Sequence, residues 1–253
     1  MNSIQLTAIE NFPLIKPNDN LVNIIIDCIA SSDISIDDGD IFVIAQKIVS
    51  KSENRYIDLN SVKVDVDTNE LALTINKDPR LLQLIKNESN KIISTDKNVV
   101  IVEHKLGYIN VNAGIDVSNI PDNGEQVLLL PENPTLSSND ICNDLSKKIQ
   151  KNISVIISDS MTRPFRAGVI NFALASTNIP SLEDITNQKD LYGNSFKCTE
   201  VAIADELASA AGLIMGQGNE QMPVIIIKGF DKDNRPEINA SELVVTEKND
   251  LYR

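Results

Sequence analysis

The chain has 253 residues, 42% of them hydrophobic, and sets 36 acidic side chains against 23 basic ones, a net charge of −13. That balance argues against a nucleic-acid backbone, which needs a basic face, and against an anionic membrane surface. The 3 cysteines and 1 histidine show no metal-ligand spacing, so free thiols in a reducing cytosol and a structural His104 are expected.

The opening Met1-Asn-Ser-Ile-Gln lacks a charged segment followed by an apolar one, so a signal peptide is not expected. No run approaches the ~18–20 apolar residues of a membrane span. Residues 4–9 alternate weakly and read as a short strand. Pro13 and Pro17 flank a turn, after which Asp19-Asn20 caps a helix carrying Leu21, Val22, Ile25, Ile26 and Ile29. Ile41–Ala45 reads as a buried strand that runs into Gln46-Lys47, with Lys51 and Arg55 close behind. Residues 66–95 read as helical, with Pro79 as a break or a start. Strands follow at 99–102, 107–111 and 127–130, the last closed by Pro131 and Pro134. Ser137–Asp140 reads as the cap of a helix reaching about Lys151. A strand from Val155 stops at Asp159-Ser160, before a turn set by Pro164 and Gly168. Asn171–Ser176 reads as a strand of small residues, 199–215 as an Ala-rich helix, and 223–229 as a last buried strand. Past Phe230 the composition turns polar, as in a peripheral tail.

Common nucleotide motifs are missing. There is no phosphate-binding G-x-x-x-x-G-K-[ST], and Gly216-Gln-Gly218 follows a helix and completes no dinucleotide fingerprint. That loop reads equally as a helix C-cap or as a backbone that lets a ligand approach closely. What remains is a set of strand exits with complementary groups. Asp116 and Asp159 each follow an apolar strand, and Ser160 adds a hydroxyl. Carboxylates and a hydroxyl without His or Cys favour Mg²⁺ or Mn²⁺ over Zn²⁺. Lys47, Lys51, Arg163 and Arg166 could neutralise phosphates or carboxylates. The alternative is a strand end with solvated charges, and sequence leaves both readings open.

Seven segments in fixed order narrow the choice: Phe12-Pro-Leu-Ile15, Asp38–Lys51, Val111–Asn119, Leu128–Pro131, Ile156–Ser160, Lys189–Gly193, and Ala204-Asp-Glu206 with Met215–Gly218. Together, over about residues 8–230, they resemble the coenzyme F420-0:L-glutamate ligase (F420:gamma-glutamyl ligase) family. The resemblance implies an α+β (mixed α/β) fold, with two intimately associated subdomains whose mixed sheets carry flanking helices. It implies one ligase unit, with a polar tail over 231–253 and no C-terminal flavin-type domain. The implied reaction uses GTP and a divalent cation, Mg²⁺ or Mn²⁺ and up to two ions, with K⁺ as a further candidate. L-glutamate is joined to coenzyme F420-0 through an acyl phosphate, then a second glutamate is added by a γ-linkage. A cytoplasmic homodimer is implied as well.

Carried over by motif, Asp116, Asp159, Ser160 and Gln217 resemble the metal ligands. Relatives often carry Thr at the position of Ser160, and Glu or Gln at that of Gln217. Phe12, Pro13, Leu14, Ile15, Gln46, Lys47, Lys51, Asn119 and the run Met215, Gly216, Gln217, Gly218, Asn219, Glu220, Gln221 and Met222 resemble the GTP-binding segments. Some relatives have a small hydroxyl pair where this chain has Gln46-Lys47. Asp116 and Asp159 would also be catalytic, and Asp205 and Glu206 would stand behind them or form a helix polar stripe; apart from the motifs, Arg163 and Arg166 suit catalysis on the anionic F420 tail or the γ-phosphate, or else surface salt bridges. A metal-dependent phosphohydrolase and a non-catalytic nucleotide-binding protein are the rival readings.

Overall fold

The computed structural model describes residues 3–96, 98–121, 124–232 and 235–251. Met1-Asn2 of the opening segment, and residues 233, 234, 252 and 253 of the polar tail, lie outside the described residues. In chain order the elements are β1 (Gln5–Ala8), α1 (Leu21–Ala30), β2 (Ile41–Ala45), α2 (Gln46–Ser52), β3 (Tyr56–Asp58), α3 (Val66–Ile75), α4 (Pro79–Asn87), β4 (Ser89–Asp96), β5 (Val99–His104) and β6 (Ile109–Val111). They continue as β7 (Gln126–Leu128), α5 (Pro134–Ile149), β8 (Ser154–Arg163), β9 (Arg166–Thr177), β10 (Glu183–Asp184), β11 (Glu200–Val201), α6 (Ile203–Met215) and β12 (Val224–Lys228). The fold is α+β, as the resemblance implies.

The unbroken apolar runs form the centre. A five-stranded sheet has the order β1-β12-β2-β8-β9. Only β2 and β8 are parallel; the other neighbours are antiparallel. Helices cover both faces, which is why these strands carry no polar alternation. On one face Phe42, Ile44, Val155 and Ile157 pack against Ile25 of α1 and Leu145 of α5. On the other, Ile41, Val43, Ile156 and Ile225 pack against Ala204, Leu207, Ala208 and Ala211 of α6. Small residues on α6 let the helix lie close to the sheet. A third core within 59–129, built on Leu82, Ile85, Val100, Val102 and Val127, unites α3 and α4 with β5 and β7.

Several expectations need correction. Residues 66–95 are not one helical stretch. Pro79 starts α4, with Asp78 accepting from Arg80 N at 2.8 Å, and 89–96 is the strand β4, paired with β5. The helix expected to be capped at Ser137–Asp140 begins earlier, at Pro134. Its cap is Asn133, which accepts from Leu136 N at 3.1 Å. The helix expected from 199 begins at Ile203, because Glu200 and Val201 pair with β10. The strand expected from Asn171 begins at Arg166. Asp159 does not end its strand: β8 runs on to Arg163, and the turn is Pro164-Phe165, with Phe165 in the left-handed region at φ 57°. Gly168 lies in β9, beside an irregularity of the ladder. The polar segment past Phe230 is anchored by Ala240, whose N–H donates to Ser176 Oγ at 2.8 Å.

Candidate active site

Two consecutive residues hold Asp116. β2, the middle strand of the sheet, ends at Ala45, so Gln46 and Lys47 open α2 at its C-terminal end. Gln46 Nε2 donates to Asp116 Oδ2 at 2.8 Å, and Lys47 Nζ lies 3.0 Å from Asp116 Oδ1. The carbonyl of Gln46 accepts from Ser50 Oγ at 2.9 Å, one turn on, which fixes the amide orientation. Asp116 does not leave a strand directly. A short 3₁₀ turn at Asn112–Gly114 intervenes, with Asn112 and Ala113 left-handed at φ 50° and 56°. Backbone bonds to Leu128 in both directions then fix Asp116, at 2.9 and 3.0 Å.

The lysines of α2 also hold the chain beyond Asp116. Lys47 Nζ donates to Ser118 O at 3.2 Å, and Lys51 Nζ donates to Asn119 O at 2.7 Å. Burial lowers the Lys51 pKa, as does the neighbouring Lys47 charge, with Asp116 opposing. Asn119 in turn donates from Nδ2 to Gly218 O at 3.0 Å. The loop after α6 is thereby tied to the same place.

Asp159 sits just past the last β2–β8 pair, Ala45 with Ser158. Its ladder partner, Phe172, belongs to the core on the α1/α5 face. Burial pushes the Asp159 carboxyl up to about 7, and the negative charge of Asp116 adds to the rise. The Ser160 N–H, 2.8 Å from Oδ1, opposes it, as do Lys47 and Gln46. Asp116 is thus close enough for its charge to oppose ionisation of Asp159. Such a pair suits a divalent cation. Among the described residues no group of three or more His, Cys, Asp or Glu gathers. An ion here would therefore complete its shell with neutral oxygens or water, as Mg²⁺ and Mn²⁺ do. The residues present fit that class of ion.

Ser160 and Gln217 stand apart from the pair. Side chains alternate along a strand, so Ser160 shares the α6 face with its ladder partner Asn171. Gln217 Nε2 donates to Asn171 Oδ1 at 2.7 Å, while Asn171 Nδ2 donates to Ser158 Oγ at 3.0 Å. A side chain at Gly212 would put its Cβ 2.7 Å from Asn171 Cγ, so only glycine leaves this amide room. Gly216 is left-handed at φ 73°, and the carboxylate of Glu220 folds against it to accept from Gly218 N at 2.8 Å.

The remaining expected residues divide. Phe12 and Ile15 are core residues, Pro13 and Leu14 are exposed, and Asn18 N donates to Ser52 O at 2.9 Å beside the end of α2. Met215 is buried and accepts from Asn171 at Sδ, Met222 is half-buried, and Asn219 and Gln221 are exposed. Asp205 accepts from Ala173 N at 2.8 Å, bracing β9, and Glu206 is exposed. Arg166 is exposed and Arg163 half-buried. His104 is buried, stacked on Tyr108 with ring centroids 5.2 Å apart. Tyr108 lies 5.4 Å from Phe172, and its enclosed hydroxyl has no partner among the described residues. Burial raises its pKa, and the charges of Asp159 and Glu88 add to that.

Sequence reasoning missed Asn171 and Tyr108. A polar amide between Ile170 and Phe172 was a usable signal for the first; nothing local marked the second.

A family model described as F420-0:Gamma-glutamyl ligase matches residues 10–229. The chain belongs to that family. A Coenzyme F420:L-glutamate ligase of Methanocaldococcus jannaschii is 40% identical over 220 residues, covering 86% of each chain. Its namesake in Methanothermobacter thermautotrophicus is 37% identical, covering 90% of this chain and 89% of the relative. One in Archaeoglobus fulgidus is 31% identical, covering 99% and 96%. Membership of the F420-0:gamma-glutamyl ligase family makes the chain a ligase, and the gathered segments at 46–51, 116–119, 159–160 and 216–220 are its candidate active site. No helix of the described residues is long and apolar enough to cross a membrane.

Proposed function

We propose that this ligase joins L-glutamate to coenzyme F420-0 at the expense of GTP, releasing GDP and phosphate, and then adds a second glutamate through a γ-linkage. The observation that carries the reading is the pair Asp116–Asp159 beyond the ends of β2 and the β2–β8 pairing, with Lys47 3.0 Å from Asp116 and its charge also acting on Asp159. A divalent cation bound there supplies positive charge to the phosphates in transfer. Lys47 and Lys51 add fixed cations on the same side. Asn119, tied to Gly218 O, and the 216–222 loop frame the nucleotide. Ser160 and Gln217, on either side of Asn171, offer oxygens for a second ion.

The acceptor carboxylate attacks the terminal phosphorus of GTP, and GDP leaves. The glutamate amine then attacks the acyl phosphate carbon, loses a proton and expels phosphate. Neither step needs a nucleophilic side chain. The protein works as a cytoplasmic homodimer in this reading.

Mass spectrometry of F420-0 incubated with protein, GTP, Mn²⁺ and glutamate tests the proposal. Glutamyl adducts dependent on all four are expected. Rapid GDP release without F420-0 or glutamate would identify a phosphohydrolase instead.

A further inference from the structure

We infer that Arg163 binds the anionic group of the F420 acceptor, outboard of the carboxylate pair; the inference rests on the ligase reading above. A guanidinium keeps its charge and offers five donors, and an enclosed one is ordinarily paired. Arg55, Arg80 and Arg235 each face a carboxylate, Glu88, Asp78 and Glu183 respectively. Arg163 faces none among the described residues. Among the described residues its Nη1 is enclosed without an acceptor, and its Nη2 reaches only Ala167 O, at 3.5 Å. In a chain of net charge −13, a half-buried cation that meets no acid among the described residues is placed to take an external one.

The topology says which anion. β8 outruns β2, whose last pair is Ala45 with Ser158, so Asp159 to Arg163 run past β2 with β9 as their one paired strand among the described residues. Alternation puts Asp159, Met161 and Arg163 on one side of this strand. The irregularity near the tip inserts its extra residues in β9, not β8. Four positions of extended chain place Arg163 about 13 Å beyond Asp159. Lys47 and Lys51 occupy the inner flank, beside Asp116. Nucleotide phosphates held by those lysines leave the outer flank to the acceptor. An oxyanion with two oxygens in one plane, phosphate or carboxylate, matches the guanidinium fork.

The test compares Arg163→Gln and Arg163→Lys with the wild type and with Lys147→Gln, an exposed charge control on α5. Calorimetry measures F420-0 binding without GTP, kinetics give KM for each substrate, and thermal midpoints report the fold. For Arg163→Gln, Kd and KM for F420-0 should rise about 10- to 100-fold. GTP and glutamate constants should stay within about twofold, because their contacts lie elsewhere, and the midpoint should not fall, because no internal acceptor loses a strong bond. Arg163→Lys should recover only part of the affinity, since an ammonium lacks the fork. Unchanged F420-0 affinity, or a rise confined to GTP or glutamate, would overturn the inference. So would a lower midpoint with all constants weakened alike. A wild type that binds F420-0 through Arg163 yet never adds glutamate would refute the ligase reading and keep the arginine.

Discussion

Asp159 and Ser160 are consecutive in the chain yet face opposite sides of the central sheet, one with Phe172 and the other with Asn171. The two cannot be interchangeable. Asp159→Asn should cut glutamate addition by about 100-fold or more, by removing the charge a cation needs. Its thermal midpoint should hold or rise, since burial already opposes that charge. Ser160→Ala should cost about tenfold or less. Turnover and thermal melts decide this; equal losses would put both residues on one ion.

Lys51 links α2 to the chain after Asp116 through its 2.7 Å bond to Asn119 O. Lys51→Met should raise the GTP KM about 10- to 100-fold, through a lost cation and a loosened Asn119. Amide exchange at Asn119 and Ile120 should quicken. Unchanged exchange would show that the segment is held without the lysine.

Asp205 satisfies Ala173 N beside the irregularity between the Ile157–Ala175 and Ser158–Ala173 pairs. Asp205→Ala should cost about 1–3 kcal/mol, by leaving a buried N–H unpaired. Because Asp159 is the next residue of β8, activity should fall as well. Urea unfolding gives the first number, and a loss below about 0.5 kcal/mol would show that water replaces the carboxylate.

His104 makes stability depend on pH. Its Nδ1 accepts from Leu106 N at 3.0 Å, and it is 4% exposed. Burial, with help from Lys105 and Arg55, lowers its pKa from 6.5 to about 4. Between those values the unfolded chain binds the proton and the folded one does not. Stability is therefore whole above 6.5 and falls as pH drops toward 4, by about 3 kcal/mol from this group. Gln at 104 could accept from Leu106 without titrating. Urea midpoints at several pH values should fall less steeply for His104→Gln than for wild type; parallel profiles would refute the assignment.

The central strands were legible because β2, β8 and β12 are apolar on both faces, and Asn20 and Pro79 mark helix starts by their own chemistry. Residues 89–95 were misread because Ile92 and Ile93 continue the apolar spacing of α4 without a Gly or Pro, and only pairing with 99–104 makes them a strand. Asp159 looked like a strand end because the overhanging Ser160–Arg163 is half-solvated and loses the apolar signal. The site residues were legible as residue types. That Gln46 reaches Asp116, 70 positions away, was not. Such contacts are set by how the strands order themselves, which local pattern does not encode.

That order has a consequence for how the molecule is made. β12, last of the strands, fills the gap between β1 and β2, the first two. No amino-terminal portion can close the sheet before Val224–Lys228 arrives. Until then Ile41–Ala45 offers one bare, wholly apolar edge, the kind that recruits foreign strands. A chain cut ahead of Val224 should aggregate rather than keep a smaller working core, and any chaperone guarding this polypeptide would have to hold the first strands apart until the last one comes.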